Sequence, residues 1–355
     1  MRKQGAATLS VPLDLKPMEA RLTDTLPSGS GWQFEPKWDG FRCLAFCTGV
    51  EVELRGRSGK SLGRYFPDMV ASLQVLGANH AVLDGELVIP VGERLSFEAL
   101  QMRLHPAASR VHKLAAETPA RLILFDCLAT ARDGSLIDAP LASRRAALET
   151  WFGTLGSQAR RNLRLTPFAR DRAEALSWLD RTGDALDGVV AKRLDDKYQP
   201  GERAMLKVKR LRTADCVVGG FRYGQGTREV ASLLLGLYDD AGRLDHVGFT
   251  SAIPQADRGS LTGRLEALRG PPGFTGNAPG GPSRWSTERS GEWEPLKPQL
   301  VVEVRYDQVT GGRFRHGTAF LRWRPDKAPL QCTFDQLREE ARPGRLMADL
   351  LGSAG

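Results

Sequence analysis

Apolar and polar residues follow two patterns along this chain, and the pattern changes near residue 210. Before that point, short strand-like apolar runs, with clean alternation at Val50–Leu54, are interspersed with longer runs of helical spacing. The short runs predict strands at Arg42–Phe46, Val50–Leu54, Ala81–Ile89, Arg121–Leu128, Gly188–Arg193 and Met205–Val208. The longer runs predict helices at Pro67–Leu76, Ser96–Leu104, Ser143–Phe152 and Arg172–Thr182, the last one ending at Gly183. This mixed order predicts an α+β fold with antiparallel sheets.

The second part of the chain is rich in strand-like runs. They predict strands at Cys216–Phe221, Val230–Tyr238, Asp245–Phe249, Val301–Tyr306 and Ala319–Trp323. One helix is predicted at Gln255–Leu268, before a loop rich in glycine and proline at Gly270–Pro282. Five short strands with one helix match the oligonucleotide-binding (OB) barrel, and a generic small barrel fits the pattern nearly as well.

These patterns divide the chain into four parts. Residues 1–30 are predicted to form an N-terminal arm, because prolines separate its short apolar pieces. The first domain is placed at 31–210, the second at 211–340 and a C-terminal tail at 341–355, with a hinge at Lys209–Ala214.

Composition excludes several classes of protein. The chain has 355 residues, 41% of them hydrophobic and 26% charged, as in an ordinary globular protein of two domains. Its five scattered cysteines lack any C-x-x-C spacing, which argues against a disulfide framework or a structural zinc. No apolar run is long enough to span a membrane, and the N-terminus lacks a signal-peptide core. The formal charge of +8 is spread over both domains and indicates a polyanionic partner. A cytoplasmic enzyme or a nucleic-acid binder is therefore expected.

One lysine stands in a setting that suits a covalent intermediate. Lys37 lies in the string Glu35-Pro36-Lys37-Trp38-Asp39-Gly40-Phe41-Arg42, among aromatic residues that can exclude water. A lysine becomes nucleophilic where nearby positive charge and partial burial lower its pKa from about 10.4. Gly40 is expected to let backbone come close to a ligand. Taken alone, the string also fits a surface turn with a solvated lysine.

Further motifs follow in order along the chain. They are Leu54-Arg55-Gly56-Arg57, Leu83-Asp84-Gly85-Glu86-Leu87, Leu124-Phe125-Asp126, Leu186-Asp187-Gly188-Val189-Val190-Ala191-Lys192, Met205-Leu206-Lys207-Val208-Lys209 and Arg322-Trp323-Arg324-Pro325-Asp326-Lys327. Each also has a simpler interpretation. Phe125 fits a hydrophobic core as well as a stacking role, and Asp84 fits the cap of a turn. The pairs at Arg144-Arg145 and Arg160-Arg161 are expected on solvated helix faces, with phosphate contact as the alternative.

Taken together and in this order, the motifs resemble the covalent nucleotidyltransferase superfamily, and most closely the short bacterial ATP-dependent DNA ligases. The resemblance spans residues 31–327. It implies an adenylation (nucleotidyltransferase) domain at 31–210, with antiparallel sheets and helices in an ATP-grasp-like arrangement, and an OB-fold β-barrel domain at 211–340. It also implies a reaction in which AMP passes from ATP to a lysine, then to the 5′-phosphate of a nick, and leaves when the 3′-hydroxyl attacks.

The resemblance assigns roles by matching positions. Lys37 would be the catalytic nucleophile. The other ATP-binding positions would be Glu35 at the adenine amine, Phe125 stacked on adenine, Arg42 and Arg57 near ribose and phosphate, Glu86 at the ribose, Lys207 and Lys209 at the α-phosphate, and Arg324 and Lys327 at the leaving pyrophosphate. Glu86 and Asp187 would be metal ligands. The family usually carries glutamate where this chain has Asp187, which still predicts Mg²⁺, with Mn²⁺ as the alternative.

The resemblance also implies partners. Nicked duplex DNA is expected as substrate for a repair or recombination ligase that acts as a monomer in the bacterial cytosol, together with repair proteins that recruit it and with no membrane association. An RNA ligase or a GTP-dependent capping enzyme of the same superfamily is the first alternative. A non-catalytic nucleic-acid-binding protein is the second.

Overall fold

The computed structural model describes residues 11–48, 51–77, 79–92, 94–181, 186–209, 211–280 and 292–338. The described residues form two compact units, and the chain passes from one to the other between Lys209 and Arg210. The predicted tail at 341–355, the first ten residues of the predicted arm and the predicted helix stop at Gly183 lie outside the described residues. The domain boundaries at residues 30 and 340 stay predictions.

The first unit contains two β-sheets. One has four strands in the order β1 (Ala20–Leu22), β12 (Met205–Val208), β11 (Leu186–Arg193) and β2 (Trp32–Trp38). Within it, β1 runs parallel to β12, while the other neighbours are antiparallel. The arm therefore contributes a strand to this sheet.

The second sheet of this unit has six strands. Its order is β10 (Leu163–Leu165), β8 (Arg121–Thr130), β5 (Ala81–Val88), β3 (Phe41–Thr48) and β4 (Glu51–Gly56), with the short β9 (Gly134–Ser135) beside β8. A separate hairpin pairs β6 (Pro90–Val91) with β7 (Arg94–Leu95). The inner strands β3, β5 and β8 are almost wholly buried, which accounts for their near-continuous apolar sequence.

Six helices of this unit are described: α1 (Pro67–Gln74), α2 (Phe97–Arg103), α3 (Ala108–Glu117), α4 (Leu141–Gly153), α5 (Ser157–Arg160) and α6 (Arg172–Arg181). Two helix starts have side-chain caps. The Ser96 hydroxyl accepts from the Ala99 amide at 3.1 Å, and the Asp171 carboxylate accepts from the Glu174 amide at 2.9 Å.

The second unit is a small β-barrel. Its main sheet has the order β15 (Leu244–Thr250), β14 (Val230–Tyr238), β13 (Arg212–Tyr223), β17 (Val301–Tyr306) and β20 (Ala319–Trp323), with β16 (Glu294–Pro295) beside β13. The two outer strands meet through a parallel bridge, in which the Thr250 hydroxyl donates to the Thr318 carbonyl at 2.8 Å. This closure gives the strand order of an OB fold.

The remaining elements of the second unit are α7 (Gln255–Ala267), β18 (Val309–Thr310), β19 (Arg313–Phe314) and α8 (Asp335–Arg338). Every strand and helix predicted in both units is present, with ends that differ by a few residues. The predicted hinge at Lys209–Ala214 overlaps β13, which already begins at Arg212. None of the helices in the described ranges is both long and apolar enough to cross a bilayer.

One prediction about surface charge is wrong. Arg144 and Arg145 are buried in α4 rather than solvated. The Arg144 guanidinium donates to both carboxylate oxygens of Asp126, at 2.8 and 3.0 Å, and both side chains are at most 2% exposed. It also donates to the carbonyls of Ala139 and Asp196. This one side chain therefore ties α4 to β8 and to the segment that follows β11.

We expect Arg144→Met to lower the free energy of unfolding by about 3–5 kcal/mol, because it leaves the Asp126 carboxylate buried without its partner. Urea denaturation of the full chain measures the change, with Arg132→Met, at an arginine whose side chain is 79% exposed, as the matched control. The double variant Arg144→Met/Asp126→Leu should recover part of the loss. Equal effects of Arg144→Met and the control would contradict this account.

Candidate active site

A cavity in the first unit collects most of the predicted site residues. It is lined from β1, β2, β3, β5, β8, β11 and β12, so both sheets contribute to it. The predicted positions that line it are Glu35, Lys37, Arg42, Arg57, Glu86, Phe125 and Lys207. Asp187 joins them through an ion pair with Lys37, and Lys209 joins them through an ion pair with Asp187.

Lys37 lies opposite a β-bulge. Leu186 pairs with Trp38 and Val189 with Pro36, so two residues of β11, Asp187 and Gly188, oppose the single residue Lys37 of β2. Gly188 has φ +137°, and a Cβ there would lie 2.0 Å from the Val208 carbonyl oxygen. The bulge turns the Asp187 carboxylate onto the Lys37 ammonium, which forms an ion pair with it.

Three lysines surround this carboxylate. The Lys209 Nζ lies 3.4 Å from the same oxygen of Asp187 that contacts Lys37. Burial lowers the pKa of Lys207, and the neighbouring charges of Lys37, Lys209 and Arg57 lower it further. The cavity therefore holds more positive charge near Lys37 than Asp187 can balance, which suits a polyanionic ligand.

Another part of the cavity wall holds a buried ion pair beside an aromatic ring. The Glu35 carboxylate contacts Lys192 Nζ at 2.7 Å and accepts from the Gln33 amide at 2.8 Å. Lys192 and Glu35 are about as buried as core residues, at 4% and 3% exposed. The Lys192 ammonium also lies 4.6 Å from the centre of the Phe125 ring.

Phe125 is the extra residue of a second bulge, since Asp84 pairs with Asp126 and Gly85 with Leu124. It is buried, as a core residue would be, and it also lines the cavity, so the stacking role stays a prediction.

Arg42 is held from three directions. Its guanidinium donates to both oxygens of Asp84, at 2.5 and 2.6 Å, and to the Met18 carbonyl at 3.0 Å. The Tyr198 hydroxyl donates to Asp84 at 2.6 Å and accepts from the Met18 amide at 2.9 Å. Asp84 is wholly buried within β5 and pairs with Arg42, so the interpretation of Asp84 as a turn cap is wrong. The Arg42 guanidinium lies 4.6 Å from the Phe125 ring centre.

Arg57 and Glu86 lie on different parts of the wall. The Arg57 side chain is 67% exposed and pairs with Glu19 of the arm through two contacts of 2.7 Å. Glu86 sits opposite Arg42 in the pairing of β5 with β3. Burial raises its pKa from 4.5 to about 7, against the opposing charges of Lys37 and Arg42.

Arg324 and Lys327 lie in the second unit, where they share one carboxylate. Arg324 Nη1 is 2.8 Å from Asp215 Oδ1, and Lys327 Nζ is 3.1 Å from Asp215 Oδ2. Arg324 also pairs with Asp326 at 2.8 Å. Both basic side chains are therefore fixed on the turn after β20, about three-quarters or more buried.

Sequence reasoning missed several parts of this site. It did not predict β2 as a strand, and this strand contains Pro36. β2 is an edge strand of its sheet, where proline is tolerated. It left Lys192 and Tyr198 without roles, although a lysine in a buried strand needs an acidic partner. The expectation for Gly40 is wrong, since a Cβ there would lie 2.2 Å from the Leu87 carbonyl oxygen, so the close approach is to β5.

The raised pKa of Glu86 predicts a pH-dependent stability. The folded state holds the proton more tightly than the unfolded state, so the free energy of unfolding should fall as pH rises from 4.5 to about 7. The side chain in Glu86→Gln cannot ionise, so the free energy of unfolding of this variant should not show that decrease. We therefore expect the stability of Glu86→Gln relative to the wild type to increase across that window, as measured by urea denaturation at a series of pH values. Parallel pH curves for the two proteins would show that Glu86 titrates normally.

Comparison with known proteins identifies the family. The model described as "ATP dependent DNA ligase domain" matches residues 16–209, and "ATP dependent DNA ligase C terminal region" matches residues 226–327. The chain is 45% identical to "DNA ligase C2" of Mycolicibacterium smegmatis, over 91% of this chain and 94% of that protein. It is 41% identical to "DNA ligase C" of Mycobacterium tuberculosis, over 93% of this chain and 95% of that protein.

A solved structure agrees with these sequence matches. It is "mycobacterial DNA ligase D complexed with ATP and MES", at 29% identity and a TM-score of 0.50, covering 90% of this chain and 98% of that one. The predicted fold class, an adenylation domain followed by an OB-fold domain, is confirmed. The chain belongs to the ATP-dependent DNA ligase family, in its short bacterial form.

Proposed function

We propose that this ligase seals nicks in duplex DNA through AMP bound covalently to Lys37. The observation that carries the proposal is the position of Lys37, opposite the bulge of β11 in a cavity rich in positive charge. Lys37 Nζ attacks the α-phosphorus of ATP, a P–N bond forms, and the bond to pyrophosphate breaks. A 5′-phosphate oxygen then takes the AMP from the lysine. The 3′-hydroxyl finally attacks that 5′-phosphate, and AMP leaves.

Asp187 is the group that can control the proton on Lys37. An ammonium has no lone pair, so Lys37 must lose a proton before it attacks. The Asp187 carboxylate contacts that ammonium directly, which supports a role in holding and then accepting the proton. Lys209 Nζ lies 3.4 Å from the same carboxylate oxygen. Asp187 contacts Lys37 although it is one methylene shorter than the usual glutamate, because the bulge of β11 places it opposite Lys37.

The wall formed by Phe125, Glu35 and Lys192 suits a purine base. An aromatic ring offers a stacking face, and the Glu35 carboxylate is an acceptor for an exocyclic amine. Gln33 and Lys192 fix both carboxylate oxygens of Glu35, so the acceptor is oriented before the ligand arrives. The Arg42 guanidinium lies 4.6 Å from the Phe125 ring centre and would contact the ribose or a phosphate.

Glu86 and Asp187 fit a magnesium ion. Both carboxylates face Lys37, and Mg²⁺ in phosphoryl-transfer sites binds through one or two carboxylates together with substrate phosphates and water. Within the described ranges, no group of three or more acidic, histidine or cysteine side chains is arranged to hold a metal ion, so substrate phosphates and water would have to complete the coordination. When bound, the ion would neutralise charge on the phosphates of ATP. Mn²⁺ suits the same oxygen ligands.

The remaining basic residues are proposed to neutralise negative charge on the phosphates of ATP. Lys207 and Lys209 lie beside Lys37 and would contact the α-phosphate. Arg324 and Lys327 of the OB-fold domain would orient the pyrophosphate as it leaves. Both are already held by Asp215, so that surface presents fixed rather than mobile cations.

The family assignment favours this function over the alternatives. Both matching models describe ATP-dependent DNA ligases, which does not support an RNA ligase, a GTP-dependent capping enzyme or a non-catalytic binding protein. The proposal includes action as a monomer in the bacterial cytosol, where the DNA is, and recruitment by DNA-repair proteins. The basic charge of the chain supports binding to the phosphate backbone without sequence readout.

Lys37→Arg tests the nucleophile. Arginine keeps the positive charge but stays protonated, so the variant should fold and form no covalent AMP adduct. Incubation with labelled ATP, and separately with labelled GTP, followed by denaturing electrophoresis measures the adduct. Lys113→Arg, at a lysine whose side chain is 75% exposed, is the control and should label normally with ATP. Clear labelling of Lys37→Arg would mean that another lysine carries the AMP.

Lys327→Ala tests the role of the OB-fold domain. If Lys327 acts on pyrophosphate, the variant should lose lysine adenylation by at least about tenfold more than it loses sealing of a pre-adenylated nick. Arg324 still neutralises Asp215 in this variant, so the turn should keep its structure. Lys297→Ala, at an exposed lysine of the same unit, is the matched control. Equal losses in the two assays would assign Lys327 to DNA binding or to structure.

A further inference from the structure

The arm places one carboxylate among basic side chains at the exposed side of the cavity. Glu19 precedes β1, and its backbone is fixed by hydrogen bonds to Glu202 at 2.7 Å and to Met205 at 3.1 Å. Its side chain pairs with Arg57, and Arg203 Nε lies 3.7 Å from the same carboxylate. The backbone of Glu19 is therefore held in place, while its carboxylate can move by rotation of the side chain.

The contact between Glu19 and Arg57 has the geometry of a phosphate site. Arg57 donates from Nε and Nη2 to the two carboxylate oxygens, each at 2.7 Å. A guanidinium presents the same pair of donors to two oxygens of a phosphate. Glu19 thus occupies the donors that a phosphate would use.

The charges around Glu19 do not balance. Arg57, Arg203 and Lys207 all act on this single carboxylate and lower its pKa. Lys207 is itself partly buried, and the charge of Arg57 is among the causes that lower its pKa. Three cations against one anion leave a net positive charge, which a phosphate with one or two negative charges matches better than a carboxylate does.

We propose that Glu19 is an internal counter-anion: it occupies the donors of Arg57, beside Arg203 and Lys207, and a substrate phosphate displaces it. The resemblance already places Arg57 and Lys207 at phosphate, and the addition is the competing carboxylate of Glu19 together with Arg203. The inference rests on the proposed function, since it concerns the phosphates of ATP or of the nicked DNA. Glu19 holds the basic side chains in position while no phosphate is bound, and it competes with the ligand for Arg57. Because exposed ion pairs are weak, a phosphate can displace this one at small cost.

Glu19→Gln tests the competition. The substitution keeps the size and the backbone bonds of the residue and removes the charge, so phosphate binding should tighten by about two- to fivefold. One assay measures KM for ATP in adenylation of the enzyme, and a second measures Kd for a nicked, 5′-phosphorylated duplex without ATP. Glu202→Gln is the control, because it removes a negative charge from an exposed neighbour of Glu19. It should change neither value.

The outcomes separate the two sources of phosphate. A lower KM for ATP assigns the displacing phosphate to the nucleotide, and a lower Kd for the duplex assigns it to DNA. Arg57→Ala should weaken binding in the assay that responds to Glu19→Gln. The double variant Arg57→Ala/Glu19→Gln should bind no more tightly than Arg57→Ala, because the guanidinium for which Glu19 competes is absent. An unchanged or weaker affinity of Glu19→Gln in both assays would overturn the inference. A wild-type protein that forms no AMP adduct would instead overturn the proposed function.

Discussion

Lys37 contacts Asp187 because two residues of β11 oppose one residue of β2. A regular antiparallel pair would send Asp187 and its neighbour to alternating faces, with one residue opposite Lys37. The bulge adds a residue, and Gly188 makes it possible, since any side chain there would collide with the Val208 carbonyl. The same close approach brings Lys209 to the Asp187 carboxylate. The charge arrangement around the lysine follows from this one irregularity in the sheet.

A second bulge lies in β8, in the six-stranded sheet. Phe125 is the unpaired extra residue of β8, which turns its ring toward the cavity although it lies in a run of buried apolar residues. Arg42 and Lys192 lie over that ring. Groups held on strands move less than groups on loops, so a ligand meets donors and acceptors that are already oriented.

Buried charge is paired throughout this domain. Arg144 and Asp126, Arg42 and Asp84, and Lys192 and Glu35 each form an ion pair with further hydrogen bonds. A buried ion pair adds little net stability, because desolvation offsets the attraction. Two of the three pairs border the cavity, where a fixed charge can act on a ligand. The third connects α4 to the strand that carries Phe125 and so supports the wall of the site.

Local sequence determined the positions of most strands and helices, because apolar spacing and helix caps depend on neighbouring residues. The motif positions and the resemblance they carry also indicated the family, the fold class and seven of the residues that line the cavity. Tertiary structure alone decided which of these groups touch. The pairs between Lys37 and Asp187, and between Arg57 and Glu19, join residues far apart in the chain, and the first pair depends on the bulge of β11. The burial of Arg144 and the partners of Tyr198 were likewise hidden, since no local pattern shows which carboxylate a distant strand will supply.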